Sequence, residues 1–321
     1  MTSSPTRLRA EDATRFSRVL VTGGTGFLGR PLVEALVPIA GQIVVAARSS
    51  ALVPSGVRSS VTDLAREGAS TSLVQETRPD TVFHLAGRRP ASAGEPASAT
   101  LGLNTLAAVE LMTVCADLGV SRLVLVGTAD EYGDQAVPVS EDAPLRPITI
   151  YGASKAAASL HALALHRSHG LPVVIVRPFS VYGPGAPASM FLAEAVDCAV
   201  RGEPFRMTHG TQRRDFVFVD DVVRGVLAAA SAERAVGRAF NLGSGESHRL
   251  RDVAERLWAI SGTRALLLVG ARPAPAGDLL ETRADTTAAT RILAWSASVS
   301  VDEGLARTLA AHRARLESPC R

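Results

Sequence analysis

Thr22-Gly23-Gly24-Thr25-Gly26-Phe27-Leu28-Gly29 sets three glycines, Gly23, Gly26 and Gly29, at intervals of three. Before it, residues 18–22 form a short apolar run with the pattern of a buried strand. After it, residues 31–39 carry helical periodicity, with Pro31 tolerated in the first turn. Glycines between a strand and a helix let backbone approach a pyrophosphate whose charge rests on the helix N-terminus. That context predicts a dinucleotide-binding turn over a plain glycine-rich connection.

Working outward, strand and helix patterns alternate. Residues 42–47, 81–85, 122–126 and 172–177 read as buried strands, and residues 107–118 and the segment carrying Tyr151 and Lys155 as helices. Continuous apolar strands alternating with helices predict an α/β fold, a doubly wound parallel sheet of the Rossmann type. After Pro178 the texture changes, with loops at Gly183-Pro184-Gly185-Ala186-Pro187 and over 272–277. The expected organisation is an N-terminal tail over 1–17 and an NAD(P)-binding domain over 18–178. Residues 179–321 are expected to form mainly a smaller substrate-binding lobe, with some segments returning to the first domain.

Composition bounds the partners. The 321 residues are 46% hydrophobic, enough for a sizeable core. Lys and Arg number 34 against 31 Asp and Glu, with no dense basic run, so no nucleic-acid partner is expected. Cys115, Cys198 and Cys320 are far apart and odd in number, which suits a reduced, cytoplasmic setting. No Cys-x-x-Cys or His-Glu-x-x-His spacing occurs, so no metal is expected; His161, His166 and His169 read as a solvated helix face. The first residues lack the apolar segment of a secretory signal. No apolar run reads as long enough to span a bilayer, so no membrane association is expected.

The end of the second strand bears on the cofactor. An Asp or Glu there bonds the ribose 2′-hydroxyl and repels a 2′-phosphate. This chain has Ala46-Ala47-Arg48-Ser49-Ser50 instead. Arg48 can fork onto a phosphate, with Ser49 and Ser50 as further donors, so NADP(H) is favoured and NAD(H) is the alternative. A plainer reading has Arg48 stacking on adenine or facing water.

Tyr151 and Lys155 stand four residues apart, on one face of a helix. Hydride transfer to a carbonyl leaves an alkoxide that needs a proton. A free tyrosine titrates near ~10, and a neighbouring ammonium lowers that value. Thr128, after the strand ending at Val126, carries a hydroxyl suited to hold the same oxygen.

A series of motifs follows in order: the glycine turn, Asp63-Leu64, His84-Leu85-Ala86, Asn104, Thr128 before Tyr132-Gly133, and Tyr151 with Lys155. Then come Arg177-Pro178 leading to Tyr182-Gly183-Pro184-Gly185, and Arg213-Arg214-Asp215-Phe216. With this series, from residue 18 to about 295, the chain resembles the extended short-chain dehydrogenases/reductases, in their NAD(P)-dependent nucleotide-sugar epimerase/dehydratase/4-ketoreductase group. The resemblance implies cofactor contacts from Gly23, Gly26, Phe27, Leu28 and Gly29, from Arg48 and Ser49, and from Asp63 and Leu64, with Asp63 on the adenine amine. It adds Leu85 and Ala86 along the cofactor's middle, Asn104, Pro178, and Lys155 on the nicotinamide ribose. Thr128, Tyr151 and Lys155 would be catalytic. Ala129, Asp130 and Ser180 would meet the substrate, and Arg214 and Arg272 would pair with the diphosphate of a nucleotide-sugar, a role that suits the arginine fork. Surface salt bridges are the plainer reading for both arginines. The resemblance also implies a homodimer formed through the helices of 107–118 and 151–166.

The residues after Thr128 separate the reactions. Sugar 4,6-dehydratases of this group place an acid/base pair there. Ala129 cannot do such work, Asp130 is a methylene shorter than the usual Glu, and Glu131 would point to the other face if the segment were extended. A 4-epimerase keeps and cycles its cofactor, usually NAD, and the missing carboxylate after the second strand argues against it. A 4-ketoreductase consumes NADPH and needs only Thr128, Tyr151 and Lys155. Residues 126–133 are also similar to the corresponding segment of GDP-4-keto-6-deoxymannose reductases. The expected function is NADPH-dependent reduction of a nucleotide-linked 4-keto-6-deoxy sugar at C4. The alternatives are a 4-epimerase, a 4,6-dehydratase, or an NADP-sensing scaffold without catalysis. Ser180 stands where the group commonly has Asn, and the sugar and nucleotide stay open.

Overall fold

The computed structural model describes residues 16–50, 52–90, 96–274 and 277–317. From the N-terminus, β1 (Phe16–Thr22) and the glycine turn lead into α1 (Gly29–Leu36). Then follow β2 (Ala40–Ala47), β3 (Val57–Val61), α2 (Ala69–Thr77), β4 (Thr81–His84), α3 (Ala97–Leu101), a π-helical turn (Gly102–Leu106) and α4 (Ala107–Asp117). After β5 (Arg122–Val126) comes a 3₁₀ turn (Ala129–Glu131), then α5 (Ile150–His169) and β6 (Val173–Pro178). Seven strands form one parallel sheet in the order β11-β6-β5-β4-β1-β2-β3, the outermost being β11 (Arg238–Leu242). The order reverses between β1 and β4, and ligands of open α/β sheets bind at the carboxyl ends of strands at such a switch point.

Alternation along the strands builds two core layers. Val19 and Val21 pack with Leu32, Val33, Val222 and Val226, whereas Leu20 points the other way and packs with Leu73, Leu111, Met112 and Ala158. The sheet is therefore covered on both faces, which is why β4 and β6 are buried along their whole length.

Beyond β6 the chain contributes β7 (Ser180–Tyr182), α6 (Phe191–Arg201), β8 (Phe205–Arg206), β9 (Arg213–Arg214), β10 (Phe216–Phe218) and α7 (Val219–Ser231). After β11 come β12 (His248–Arg249), α8 (Leu250–Ser261), β13 (Leu267–Leu268), β14 (Glu281–Thr282), α9 (Thr287–Leu293) and α10 (Val301–Glu317). Helices α6, α8 and α10 enclose a third core of Leu192, Phe205, Phe218, Leu257 and Leu305. Tyr182 stands edge-on to Phe218 in this core, with ring centroids 5.5 Å apart.

Three expectations change. The tail expected over 1–17 lies outside the described residues up to 15; Phe16 and Ser17 belong to β1, and Phe16 packs edge-on against Phe83. Helix α1 starts at Gly29, not Pro31, so the last glycine of the turn is already helical. An apolar run of spanning length does exist. The helical stretch Ala97–Asp117 has 21 residues and holds an 18-residue window of mean hydropathy 1.4, long and apolar enough to cross a bilayer by length and composition. Half of that window is buried within the fold, where Leu111, Met112 and Cys115 pack onto the sheet.

Candidate active site

A cleft of about 1090 Å³ opens at the carboxyl ends of the large sheet, between it and the α6–α8–α10 lobe. Its floor is the glycine turn. Gly23 has a φ of +72°, and a Cβ there would stand 2.7 Å from the Ala86 amide nitrogen. A Cβ on Gly29 would lie 2.1 Å from the Gly23 carbonyl oxygen. Only glycine lets β1, the end of β4 and the start of α1 come this close, and the approach sets Gly26, Phe27 and Leu28 on the cleft wall at the N-terminal end of α1. A dinucleotide's pyrophosphate fits that cradle. Along the same wall lie Gly26, Phe27, Leu28, Arg48, Asp63, Leu64, Leu85, Ala86, Lys155 and Pro178. Thr128, Ala129, Asp130, Tyr151, Ser180 and Arg214 line the remainder.

Ser49, Asn104 and Arg272 are not brought to the cleft wall. Ser49 is exposed at the end of β2. Asn104, fully buried, spends its amide internally: Oδ1 accepts from Arg88 N–H (2.8 Å), and Nδ2 donates to the Arg88 carbonyl and Ser154 Oγ (both 2.9 Å). It ties the loop after β4 to α5. Arg272 forks onto Glu194 in the first turn of α6, an exposed ion pair. Arg214 does reach the cleft, held by the Leu279 carbonyl (2.8 Å) and paired with Asp278.

Helix α5 positions Tyr151 and Lys155. Thr149 caps it, its Oγ1 accepting from Gly152 N–H (2.9 Å), and Gly170 ends it at a φ of 69°. Lys155 is 4% exposed. It is also the sole lysine of the chain; the other 33 of the 34 basic residues are arginine. Burial depresses its ammonium to about 8, Arg89 pushes the same way, and Glu131 opposes both.

The phenol of Tyr151 behaves otherwise than expected. Burial holds it above its usual value; Arg89 pulls it down, while Asp130 and Glu131 push it up. Arg89 extends over the ring, its Cζ 4.1 Å from the centroid, and its guanidinium bridges to Asp130 at 3.0 Å.

Thr128 is extended, and its amide and hydroxyl form both halves of a capping box over the 3₁₀ turn. Its Oγ1 accepts from Asp130 N–H (3.3 Å), and its own N–H donates to Glu131 Oε1 (3.0 Å). A hydroxyl that accepts there still has its O–H to give to a ligand. The segment is therefore a tight turn, not a strand. Glu131 is fully buried, its other oxygen held by Arg177 Nε at 2.8 Å.

Two residues around this site were named in the sequence but given no role there. His84 is buried at the end of β4, its Nδ1 2.7 Å from Thr22 Oγ1. Burial, reinforced by Lys155, lowers it to about 3, so it stays neutral. Glu131 is the other, and its signal was present: Thr128-Ala129-Asp130-Glu131 is a capping-box spacing.

Known proteins match this architecture. The model of the NAD dependent epimerase/dehydratase family covers residues 19–243. A UDP-glucuronate 4-epimerase of Thermodesulfobacterium geofontis is 31% identical over 236 residues, 71% of each chain. A dTDP-6-deoxy-L-talose 4-dehydrogenase (NAD(P)(+)) of Kitasatospora kifunensis is 31% identical over 293 residues, 87% of this chain and 91% of that protein. The structure of MoeE5 in complex with UDP-glucose and NAD superposes with a TM-score of 0.83 at 32% identity, covering 94% of this chain and all of the other. The glycine cradle, the parallel sheet and a family match running from β1 to just past β11 identify the chain as a member of the NAD-dependent epimerase/dehydratase family, an NAD(P)-dependent enzyme of the extended short-chain dehydrogenase/reductase type.

Proposed function

We propose that this protein reduces a nucleotide-linked 4-keto-6-deoxy sugar at C4, using NADPH. The observation that carries the reading is the company around Thr128, Tyr151 and Lys155. The three share one cleft with the glycine cradle, while the positions that would eliminate water are disarmed. Ala129 has no acid/base group, Asp130 is tied to Arg89, and Glu131 is buried away from the cleft. A 4,6-dehydratase lacks its extra acid/base pair here.

When bound, the nicotinamide supplies hydride. The chain's own residues do the rest. The Gly23–Gly29 turn holds the pyrophosphate, and Arg48, at the cleft edge, takes the 2′-phosphate. Lys155 would donate to the nicotinamide ribose, while Arg89 over the ring is the cation that draws down the buried phenol of Tyr151. Tyr151 would give its proton to the C4 oxygen, while Thr128 Oγ–H would steady that oxygen. Arg214 binds the diphosphate. The relative named as a 4-dehydrogenase of a dTDP-linked 6-deoxy sugar supports net redox chemistry at C4.

A 4-epimerase is the second reading, favoured by the likeness to a UDP-glucuronate 4-epimerase. The two part in one assay. Purified protein is mixed with NADPH and a panel of nucleotide-linked 4-keto sugars, and separately with UDP-sugars and no added cofactor. Stoichiometric NADPH oxidation supports the reductase; interconversion of UDP-sugars without consumption would replace it with the epimerase. A non-catalytic sensor would do neither.

The enzyme is proposed to act as a cytoplasmic homodimer through α4 and α5. Leu106, ending the π-helical turn just ahead of α4, and Leu160 on α5 are 69% and 57% exposed. Light scattering should give two chains per particle, and one for Leu106→Glu.

A further inference from the structure

Arg89 and Asp130 meet beside Tyr151. A guanidinium nitrogen of Arg89 stands 3.0 Å from Asp130 Oδ2, and its Cζ lies 4.1 Å from the centre of the Tyr151 ring. Both residues line the cleft, with side chains 57% and 36% exposed. An ion pair so open to water contributes little to stability. Yet both main chains are bolted to α5, the helix that carries Tyr151. Asn104 grips Arg88, the residue before Arg89, through its N–H (2.8 Å) and its carbonyl (2.9 Å), and is itself tied to Ser154 Oγ of α5 (2.9 Å). Asp130 is pressed against the first turn of α5: a Cβ on Gly152 would stand 2.4 Å from the Asp130 carbonyl oxygen. Thr128 Oγ1 accepts the Asp130 N–H at 3.3 Å. A buried clamp and a close helix contact thus place two half-exposed side chains at one spot.

What a sugar presents at that spot follows from its own chemistry. With its C4 oxygen at Thr128 and Tyr151, the ring brings the substituents of C3 and C5 against the neighbouring walls. In a 4-keto-6-deoxy sugar, C5 carries a methyl group, which offers a charged pair nothing. C3 carries a hydroxyl, which donates one hydrogen bond and accepts others. The pair matches it on both counts. An ionised Asp130 only accepts, and Arg89 has five N–H donors, more than one carboxylate takes up. An anionic substituent would meet the charge of Asp130 as well as that of Arg89, so a neutral hydroxyl is the better match.

We propose that Arg89 and Asp130 are a specificity-determining pair of this enzyme, reading the hydroxyl at C3, next to the reacting carbon. The inference rests on the placing of C4 at Tyr151 and Thr128 proposed above. Asp130 accepts the hydroxyl hydrogen, Arg89 donates to its oxygen, and the ring is held with C4 at the phenol. When the hydroxyl is missing, the two side chains still satisfy each other and water. The discrimination is therefore that of one hydrogen bond to a charged group, about tenfold to a hundredfold, and not the far larger rejection shown by a sealed polar pocket.

The test compares nucleotide-linked 4-keto-6-deoxy sugars with their 3-deoxy analogues, in kcat/KM for NADPH oxidation. The native enzyme should favour the hydroxylated sugar by about tenfold to a hundredfold. Arg89→Met and Asp130→Ala, both at half-exposed positions where the fold should survive, should each bring that ratio toward one, chiefly by slowing the hydroxylated sugar. Asp130→Asn keeps an acceptor and should retain part of the preference. A native ratio near one overturns the proposal. So does a large ratio that both variants leave unchanged, since a merely structural role would slow both sugars alike. Should no 4-keto sugar oxidise NADPH, the reductase reading fails by itself, and the same ratio is read from binding. Calorimetry of UDP-glucose and UDP-3-deoxyglucose, with native protein and both variants, should show the preference and its loss; a preference absent from the native protein, or untouched by the variants, overturns the pair there too.

Discussion

At the scale of single residues, the site is a balance between burial and charge. Tyr151 and Lys155 are both pushed toward their neutral forms by burial, and nearby charges correct each differently. Tyr151→Phe removes the proton donor and leaves the wall of the cleft intact. It should reduce kcat by about a hundredfold or more with cofactor binding retained, as measured by steady-state rates and cofactor titration. Arg48→Ala should weaken NADPH by about tenfold to a hundredfold and NADH far less, since only the former gains a charge-assisted fork; equal losses would defeat the 2′-phosphate reading. These residues were legible in the sequence because their meaning is local. Tyr-x-x-x-Lys is one helical turn, and the end of β2 is one strand end. Arg272 was not legible: its partner Glu194 is 78 positions away, and no pattern in either segment announces the pair.

At the scale of elements, caps and turns do the placing. Thr149 starts α5 two residues before Tyr151, so it fixes where the phenol enters the cleft. Thr149→Ala should lower stability by about 1 kcal/mol in urea unfolding, and kcat should fall as the first turn frays. The strands of the sheet were readable from their continuous apolar runs, and β5 emerges with the bounds expected for it. The turn after β5 was not read correctly, because its residues were weighed singly as acids and bases. Read as a cap, Thr128 and Glu131 fold the segment back on itself and send the glutamate inward. The helix of 107–118 was seen without the α3 and π-turn residues that precede it, since Gly102 and Asn104 interrupt the apolar pattern.

At the scale of the whole molecule, buried titratable groups link stability to pH. His84 is held near 3 in the folded chain, well below the ordinary 6.5 of a free imidazole. The unfolded chain therefore takes up the proton first, and stability that is complete above pH 6.5 is lost as pH falls from there toward 3. Lys155 acts in the alkaline range with the same sign: its folded value is about 8 against 10.5, so stability rises as pH climbs between them. Urea titrations across pH should show both limbs, and His84→Gln should flatten the acid one. If the acid limb persists unchanged, His84 is not its source.

The lone lysine has one more use. An endoproteinase that cuts only after lysine has a single target in this chain, inside α5 and buried beneath the loop after β4. The folded protein gives it no bond to attack, and the opened one yields two fragments that meet at residue 155. As long as reclosing outpaces cleavage, the rate at which those fragments appear is proportional to the equilibrium fraction of chains open at the catalytic helix. The enzyme carries its own gauge of how often its chemistry lies exposed.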